Sequence, residues 1–226
     1  MIIDNLVKDY EDKKHLFEWF MESVVSYFSH NPRLTKGPLP ILHSFKCRTK
    51  DSSHLREKLN RKIGEGRIIN QENLFNEITD LAGVRLLHLY QGQFLEIHNS
   101  IKTMIDSGEW TYVEPPIAYT WDPESQHFFE SLGIQYKCRD SYYTSIHYLV
   151  KPNNAQSIVC CEIQVRTLFE EIWGEINHSI NYPHATNSVA CKEQLRVLSK
   201  FISTGTRLAD SIIKTHEEYE KTTNQH

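Results

Sequence analysis

The chain has 226 residues, of which 39% are hydrophobic and 11% aromatic, enough apolar material for one core with helical additions. Charged residues make up 24% and the formal net charge is −4, which argues against a nucleic-acid coat protein or a polybasic membrane binder. The five cysteines form neither a CxxC pair nor a zinc spacing, so they are expected to be reduced thiols of a cytoplasmic protein, serving as small core residues.

Asp and Glu are scattered through the first twenty residues, so no secretory or transit segment is expected there, and no stretch has the length of a membrane span. Leu6, Tyr10, Leu16, Phe17, Phe20 and Val24 recur at near-helical spacing and predict an amphipathic helix over 4–29, stopped by Asn31-Pro32. Residues 41–50 alternate loosely like a strand and run into a predicted helix over 52–64, with Leu55, Leu59 and Ile63 as its buried stripe. Residues 83–90, 110–113, 142–151 and 157–166 are rich in β-branched and aromatic side chains and read as strands, with a helical run over 92–108 between the first two. Thr167 and Glu170 fit a capping box, so the strand ending at Arg166 should turn directly into a helix. Leu195, Leu198, Ile202, Leu208 and Ile212 predict a long terminal helix or helix pair, fraying at its last six residues. Helices mixed with short strands, without regular βαβ alternation, imply an α+β fold: one mixed β-sheet flanked by helices. The expected organisation is an N-terminal helical segment (1–39), a central domain (40–183) and a C-terminal helical extension (184–226).

Four groups of residues have chemical character. Between 46 and 67 stand Lys46, Arg48, Lys50, Arg56, Lys58, Arg61, Lys62 and Arg67 against Asp51, Glu57 and Glu65, a strongly basic stretch in an acidic chain. On the predicted helix His54, Lys58 and Lys62 share one stripe. Such a cluster suits a polyphosphate, and it equally suits a solvated helix face. In CEIQVRT, Glu162, Gln164 and Arg166 alternate with Cys161, Ile163 and Val165, so one strand face is wholly polar; water or a ligand could cover it. Tyr143, Ser145 and His147 alternate in the same way and combine an aromatic ring with hydrogen-bonding groups, as a base and sugar would require, although an ordinary edge strand fits too. Asp80, at a predicted helix-to-strand boundary before Gly83 and Arg85, is a candidate Mg²⁺ ligand and also an ordinary turn residue.

Taken in order, Arg48-Thr49-Lys50 with Lys58 downstream, Asp80-Leu-Ala-Gly-Val-Arg85, Tyr143-Thr-Ser-Ile-His147 and Glu162-Ile-Gln-Val-Arg-Thr167 resemble the synthetase domain of RelA/SpoT proteins. Trp173, Glu175, Asn177 and His178 extend the resemblance into the next helix, so that it covers about residues 40–183, and the flanking helices resemble those of single-domain small alarmone synthetases. The resemblance implies a nucleotidyltransferase-like mixed sheet and a GTP pyrophosphokinase, which moves pyrophosphate from ATP to the 3′-hydroxyl of GDP or GTP to make (p)ppGpp. Lys46, Arg48, Lys50, His54, Lys58 and Arg61 are then the expected donor site. Asp80 would hold Mg²⁺, and Glu162 would lie near the metal and activate the acceptor hydroxyl. Tyr143 would stack on the acceptor base, Ser145, His147, Gln164 and Arg166 would line the rest of the acceptor, and Arg85 would support the site electrostatically.

Two departures bear on specificity. His54 stands where many relatives have serine, and Arg139-Asp-Ser-Tyr-Tyr143 stands where many have Lys-Pro-Asn-Gly-Tyr, so Tyr142 occupies the glycine position. No His-Asp dipeptide occurs among the twelve histidines, and the metal-dependent hydrolase domain of longer relatives is not expected. Two other functions compete: a toxic-type relative that modifies an adenine nucleotide or the 3′ end of tRNA, and a degenerate nucleotide-binding module. Residues outside 46–67 are net acidic, which disfavours tRNA, and the presence of both Asp80 and Glu162 disfavours a mere binder. A homo-oligomer, a tetramer by analogy, is expected.

Overall fold

Apolar positions at helical spacing in the first thirty residues fold as the longest N-terminal element of the computed structural model, which describes residues 2–139, 142–154, 157–182 and 184–223. This helix, α1 (Ile2–Ser29), buries Leu6, Tyr10, Phe17, Val24 and Phe28 almost completely. It ends before Asn31, whose side chain accepts from Arg33 N and caps the short α2 (Pro32–Thr35), with Pro32 at a first-turn position where no amide is needed. There follow β1 (Ser44–Thr49), α3 (Ser52–Gly64), α4 (Leu74–Glu77), β2 (Ala82–His88) and a 3₁₀ turn (Gln91–Gln93) leading into α5 (Phe94–Asp106). The remainder is β3 (Trp110–Tyr119), α6 (Pro123–Ser131), β4 (Gln135–Lys137), β5 (Ser145–Pro152), β6 (Cys161–Thr167), α7 (Leu168–Asn181) and α8 (Val189–Thr223).

The six strands form one mixed sheet in the order β1-β2-β6-β5-β3-β4, the α+β architecture expected. β2 and β6 run parallel at its centre, and β1 and β5 flank them antiparallel. Registers across these four strands put Lys46 opposite Arg85, Arg85 opposite Gln164 and Gln164 opposite His147. Because opposed residues point to the same face, one row crosses the sheet carrying two cations, an amide and an imidazole. The other face is the core: Val84, Leu86, Ile163 and Val165 are all at most 1% exposed. Helix α1 packs there, and the Tyr10 hydroxyl donates to Lys50 O at 2.8 Å, tying helix to strand where the basic cluster begins.

Several expectations need correction. β3 runs through Pro115-Pro116 to Tyr119, past the predicted end at 113, because register shifts between Tyr112, Glu114 and Ile117 release the prolines from the ladder. β5 begins at Ser145, so Tyr143 precedes the strand, and β6 begins at Cys161. Helix α6 and strand β4 were not expected, although Asp122-Pro123 is a cap-and-first-turn signal and Asp122 does accept from Ser125 N. α8 is one helix of 35 residues and stays helical through Thr223; the rest of the expected fraying tail lies outside the described residues. The cysteines divide: Cys160 and Cys161 are core residues, Cys191 is half-buried, and Cys47, on the edge strand β1, and Cys138, just beyond β4, are exposed. Among the described residues no helix is long and apolar enough to cross a membrane.

Candidate active site

The polar face of β1, β2 and β6 floors a cleft of about 490 Å³. Arg48, Lys50, His54, Asp80, Arg85 and Glu162 are among the side chains lining it. Asp80 lies just before β2, where Lys50 from the end of β1 and Lys58 from α3 converge on its two oxygens at 3.0 and 2.8 Å. Burial alone would raise the Asp80 pKa; the charges of Lys58 and Lys50 outweigh it, and the carboxyl is held below its ordinary value as an anion.

The basic stripe of α3 is divided among three neighbours. His54 lines the cleft and meets the Tyr182 ring edge-on at 5.7 Å, Lys58 reaches Asp80, and Lys62 turns away to donate to Glu77 O at 2.5 Å. Arg61, two helical turns beyond His54 on α3, is exposed beside Glu65, 4.0 Å away, and is not among the residues lining the cleft. Lys46 lines the cleft and pairs with Glu171 at 2.8 Å and Glu175 at 3.2 Å.

Glu162 stands at the junction of the two halves of the expected site. Its Oε1 is 2.9 Å from His147 Nδ1 and its Oε2 accepts from Gln164 Nε2 at 2.7 Å. Burial opposes ionisation of this carboxyl and nearby Asp80 adds to that, yet the hydrogen bond and charge of His147, with the Gln164 hydrogen bond, prevail and its pKa is lowered. His147 Nε2 lies 3.0 Å from the Tyr143 hydroxyl, to which Arg166 also donates at 2.7 Å. Arg166 donates again to Gln164 Oε1 at 2.5 Å. Five side chains therefore form a closed circuit. Ser145 is outside it: the side chain is wholly buried and its hydroxyl faces Val165 O at 3.4 Å, so the structure places it within the sheet and away from the cleft.

Tyr143 approaches from the segment before β5. Tyr142 has φ of 54°, a left-handed conformation that costs a bulky residue energy and that glycine adopts freely. Its ring packs edge-on against Trp121 at 5.5 Å, which turns the next residue towards His147 and Arg166. Arg139 lies over the Tyr119 ring at 3.6 Å; Asp140 and Ser141, the middle of the departure noted above, lie outside the described residues.

Glu171 was not foreseen. It is 6% exposed and accepts from Arg85 at 2.7 Å and from Arg166 at 3.2 Å, while Lys46 pairs with it at 2.8 Å. One buried carboxylate thus gathers a cation from each of β1, β2 and β6. The available signal was acidic residues at i and i+4 on α7, Glu171 and Glu175, directly after strands carrying unpaired cations.

Among the described residues no three His, Cys, Asp or Glu side chains gather as a metal cage. Asp80 and Glu162 nevertheless both line the cleft as ionised carboxylates, the hard oxygen donors Mg²⁺ takes when phosphates and water complete its shell. The donor set fits that ion.

The structure thus combines a mixed sheet with helical flanks and a cleft in which clustered cations stand beside two carboxylates. The family model described as "Region found in RelA / SpoT proteins" matches residues 47–187, more than half of the chain, and the chain belongs to that family. Among solved structures it is similar to the small alarmone synthetase 1 from Bacillus subtilis, with a TM-score of 0.67 and 18% identity over 95% of this chain and 97% of that one. The same Bacillus subtilis protein bound to its product pppGpp matches with a TM-score of 0.64 and 19% identity, over 89% of this chain and 92% of that one. Bound to AMPCPP it matches with a TM-score of 0.65 and 18% identity, over 93% and 99%. These likenesses establish the fold. No curated protein matches the chain.

Proposed function

We propose that the protein is an ATP:nucleotide 3′-pyrophosphotransferase that makes (p)ppGpp from ATP and GDP or GTP. The observation that carries this reading is the position of Glu162, an ionised carboxylate in the cleft between the Lys50–Asp80–Lys58 cluster and the His147–Tyr143–Arg166 group. Family membership and the product-bound and AMPCPP-bound neighbours support it.

In this mechanism Arg48, Lys50 and Lys58 bind the triphosphate, their charge replacing the water that would otherwise solvate it. The acceptor base stacks on Tyr143, and Arg166 and Gln164 orient its ribose and phosphates. Glu162 takes the proton of the 3′-hydroxyl as its oxygen bonds to the β-phosphorus of ATP; the bond from that phosphorus to the α–β bridging oxygen breaks, and AMP leaves with the oxygen. Mg²⁺, held by Asp80 with Glu162 nearby, would offset phosphate charge and align the transferred group. Glu171 holds Lys46, Arg85 and Arg166 in place beside the cleft.

The reading places the protein in the cytoplasm, with its nucleotides. It also takes the exposed Phe201, Leu208 and Ile212 on α8, which are 72%, 59% and 57% accessible, as a contact between copies in a homo-oligomer. The test is product analysis with γ-labelled ATP and Mg²⁺, offering GDP, GTP, ATP or deacylated tRNA separately. Label should move to GDP or GTP with formation of AMP; transfer to none of the four would overturn the reading, and transfer to ATP or tRNA alone would replace it with the toxic-type alternative.

A further inference from the structure

Helix α7 turns Glu171, Gly174 and Glu175 towards the cations of the polar face, at the three- and four-residue spacing of one helix side. The two glutamates meet Lys46, Arg85 and Arg166. Gly174 stands between them with no side chain, and the space a side chain would take is filled by Arg166. A Cβ placed on Gly174 would lie 2.8 Å from Arg166 Nη1, well inside the roughly 3.5 Å of an unstrained contact. Glycine inside a helix is otherwise a liability, since it gives up more backbone freedom on folding than alanine does. The weakest helix former of α7 thus sits where a guanidinium passes closest to the helix.

Neither side of that contact is free to yield. The end of an arginine ordinarily swings aside at little cost, but this one is 3% exposed, and it donates to Glu171 at 3.2 Å, to Tyr143 at 2.7 Å and to Gln164 at 2.5 Å. Its buried Nε has no partner among the described residues, so turning the group breaks these bonds and leaves further buried donors unmet. Helix α7 is held as firmly. Thr167 and Glu170 close the capping box at its start, and Trp173, the residue before Gly174, is 3% exposed and donates from its indole to Leu195 O at 3.0 Å.

We propose that Gly174 is a positioning residue of the acceptor site: its missing side chain is the room in which the Arg166 guanidinium lies while it holds Tyr143 and Gln164. The proposal rests on the acceptor role given to those three residues above. Alanine at this position pushes the guanidinium off Tyr143 and Gln164 and so disturbs the acceptor half of the cleft. Lys50 and Lys58, paired with Asp80 on the donor half, make no contact with Arg166 and keep their places.

Calorimetric titration of the full chain with GDP and, separately, with AMPCPP reads the two halves. Gly174→Ala should raise the Kd for GDP about 10-fold or more, the worth of a charge-assisted hydrogen bond, and change that for AMPCPP by less than about threefold. Thermal unfolding in two backgrounds shows whether Arg166 is the cause. Arg166→Lys keeps a charge for Glu171 and removes Nη1; in that background Gly174→Ala should act only as a better helix former, raising Tm by roughly 1–4 °C and weakening GDP binding no further. With Arg166 present the same substitution should raise Tm by less, or lower it. Unchanged GDP affinity in Gly174→Ala, an equal loss for both nucleotides, or equal Tm shifts in the two backgrounds would overturn the proposal. If the wild-type chain binds no GDP, the functional reading of the acceptor half falls, while the Tm comparison still decides whether Gly174 makes room for Arg166.

Discussion

Glu171→Gln removes the side chain on which Lys46, Arg85 and Arg166 converge, and its cost can be worked from their exposures. The Arg166–Glu171 pair is 4% and 7% exposed, so the variant leaves a cation inside the protein without its counter-charge. Breaking a buried pair from one side costs about 3–5 kcal/mol. Arg85 and Lys46 are 25% and 56% exposed and can rehydrate, so each loses only the roughly 0.2–1 kcal/mol of a solvent-facing pair. The glutamine oxygen still accepts one hydrogen bond, which returns about 1 kcal/mol. The expected loss is about 4 kcal/mol, or a fall in Tm of roughly 8–16 °C for a chain of this size. Glu175→Gln is the control: that carboxylate touches Lys46 and Arg85 but is 55% exposed, and its loss should cost less than about 1 kcal/mol. Thermal unfolding followed by circular dichroism compares the two. Equal Tm values for both variants would refute the idea that burial makes Glu171 the anchor.

Asp80→Asn should abolish turnover while leaving the chain folded, since it removes an anion from the site together with the attachment of Lys50 and Lys58; normal rates at saturating Mg²⁺ in a folded variant would remove Asp80 from the metal role. Lys58→Met should raise the KM for ATP by about 10-fold or more, the worth of a charge-assisted bond, without raising that for the acceptor, and a loss confined to the acceptor would mean the two pockets are reversed. His88 is 2% exposed and its pKa is pushed down to about 4 by burial, so the fold refuses a proton that the unfolded chain takes up below about 6.5. Its contribution to stability is present above that unfolded value and is lost as pH falls towards 4, on the order of 3 kcal/mol in all. Denaturation of wild type and His88→Asn should therefore differ in slope across that window, and parallel curves would contradict it.

The polar face was legible in the sequence because it lies in one strand: alternation in CEIQVRT sorts Glu162, Gln164 and Arg166 from the core residues, and β6 keeps that sorting. The capping box at Thr167 was legible for the same local reason, and both of its hydrogen bonds are present. Ser145 and Gln164 are placed differently: Gln164 lines the cleft and Ser145 is wholly buried. Alternation assigns a face, but not whether the neighbouring strand covers it, and only the pairing with β6 shows the hydroxyl sealed against Val165. Glu171 was invisible for a related reason, since its three partners come from three strands whose adjacency depends on the order β1-β2-β6. The length of β3 was hidden by Pro115-Pro116, which reads locally as a strand end.

The substitution of Tyr142 for glycine is the case in which sequence and structure have to be read together. Local sterics alone would call for a changed backbone there, since a bulky side chain at positive φ costs about 1–2 kcal/mol. The chain keeps φ at 54° all the same, and packing of the ring against Trp121 offsets part of that cost. In that conformation the next residue brings its hydroxyl to both His147 and Arg166. Tyr142→Gly should then preserve Tyr143's bonds, because glycine takes the same φ without strain, whereas Tyr142→Val, β-branched and intolerant of positive φ, should displace Tyr143 and weaken acceptor binding. Acceptor KM measured for both variants separates the possibilities. Equal effects would show that the Trp121 contact, common to both losses, matters more than the backbone conformation; an effect of valine alone would show that the left-handed turn is what aims Tyr143.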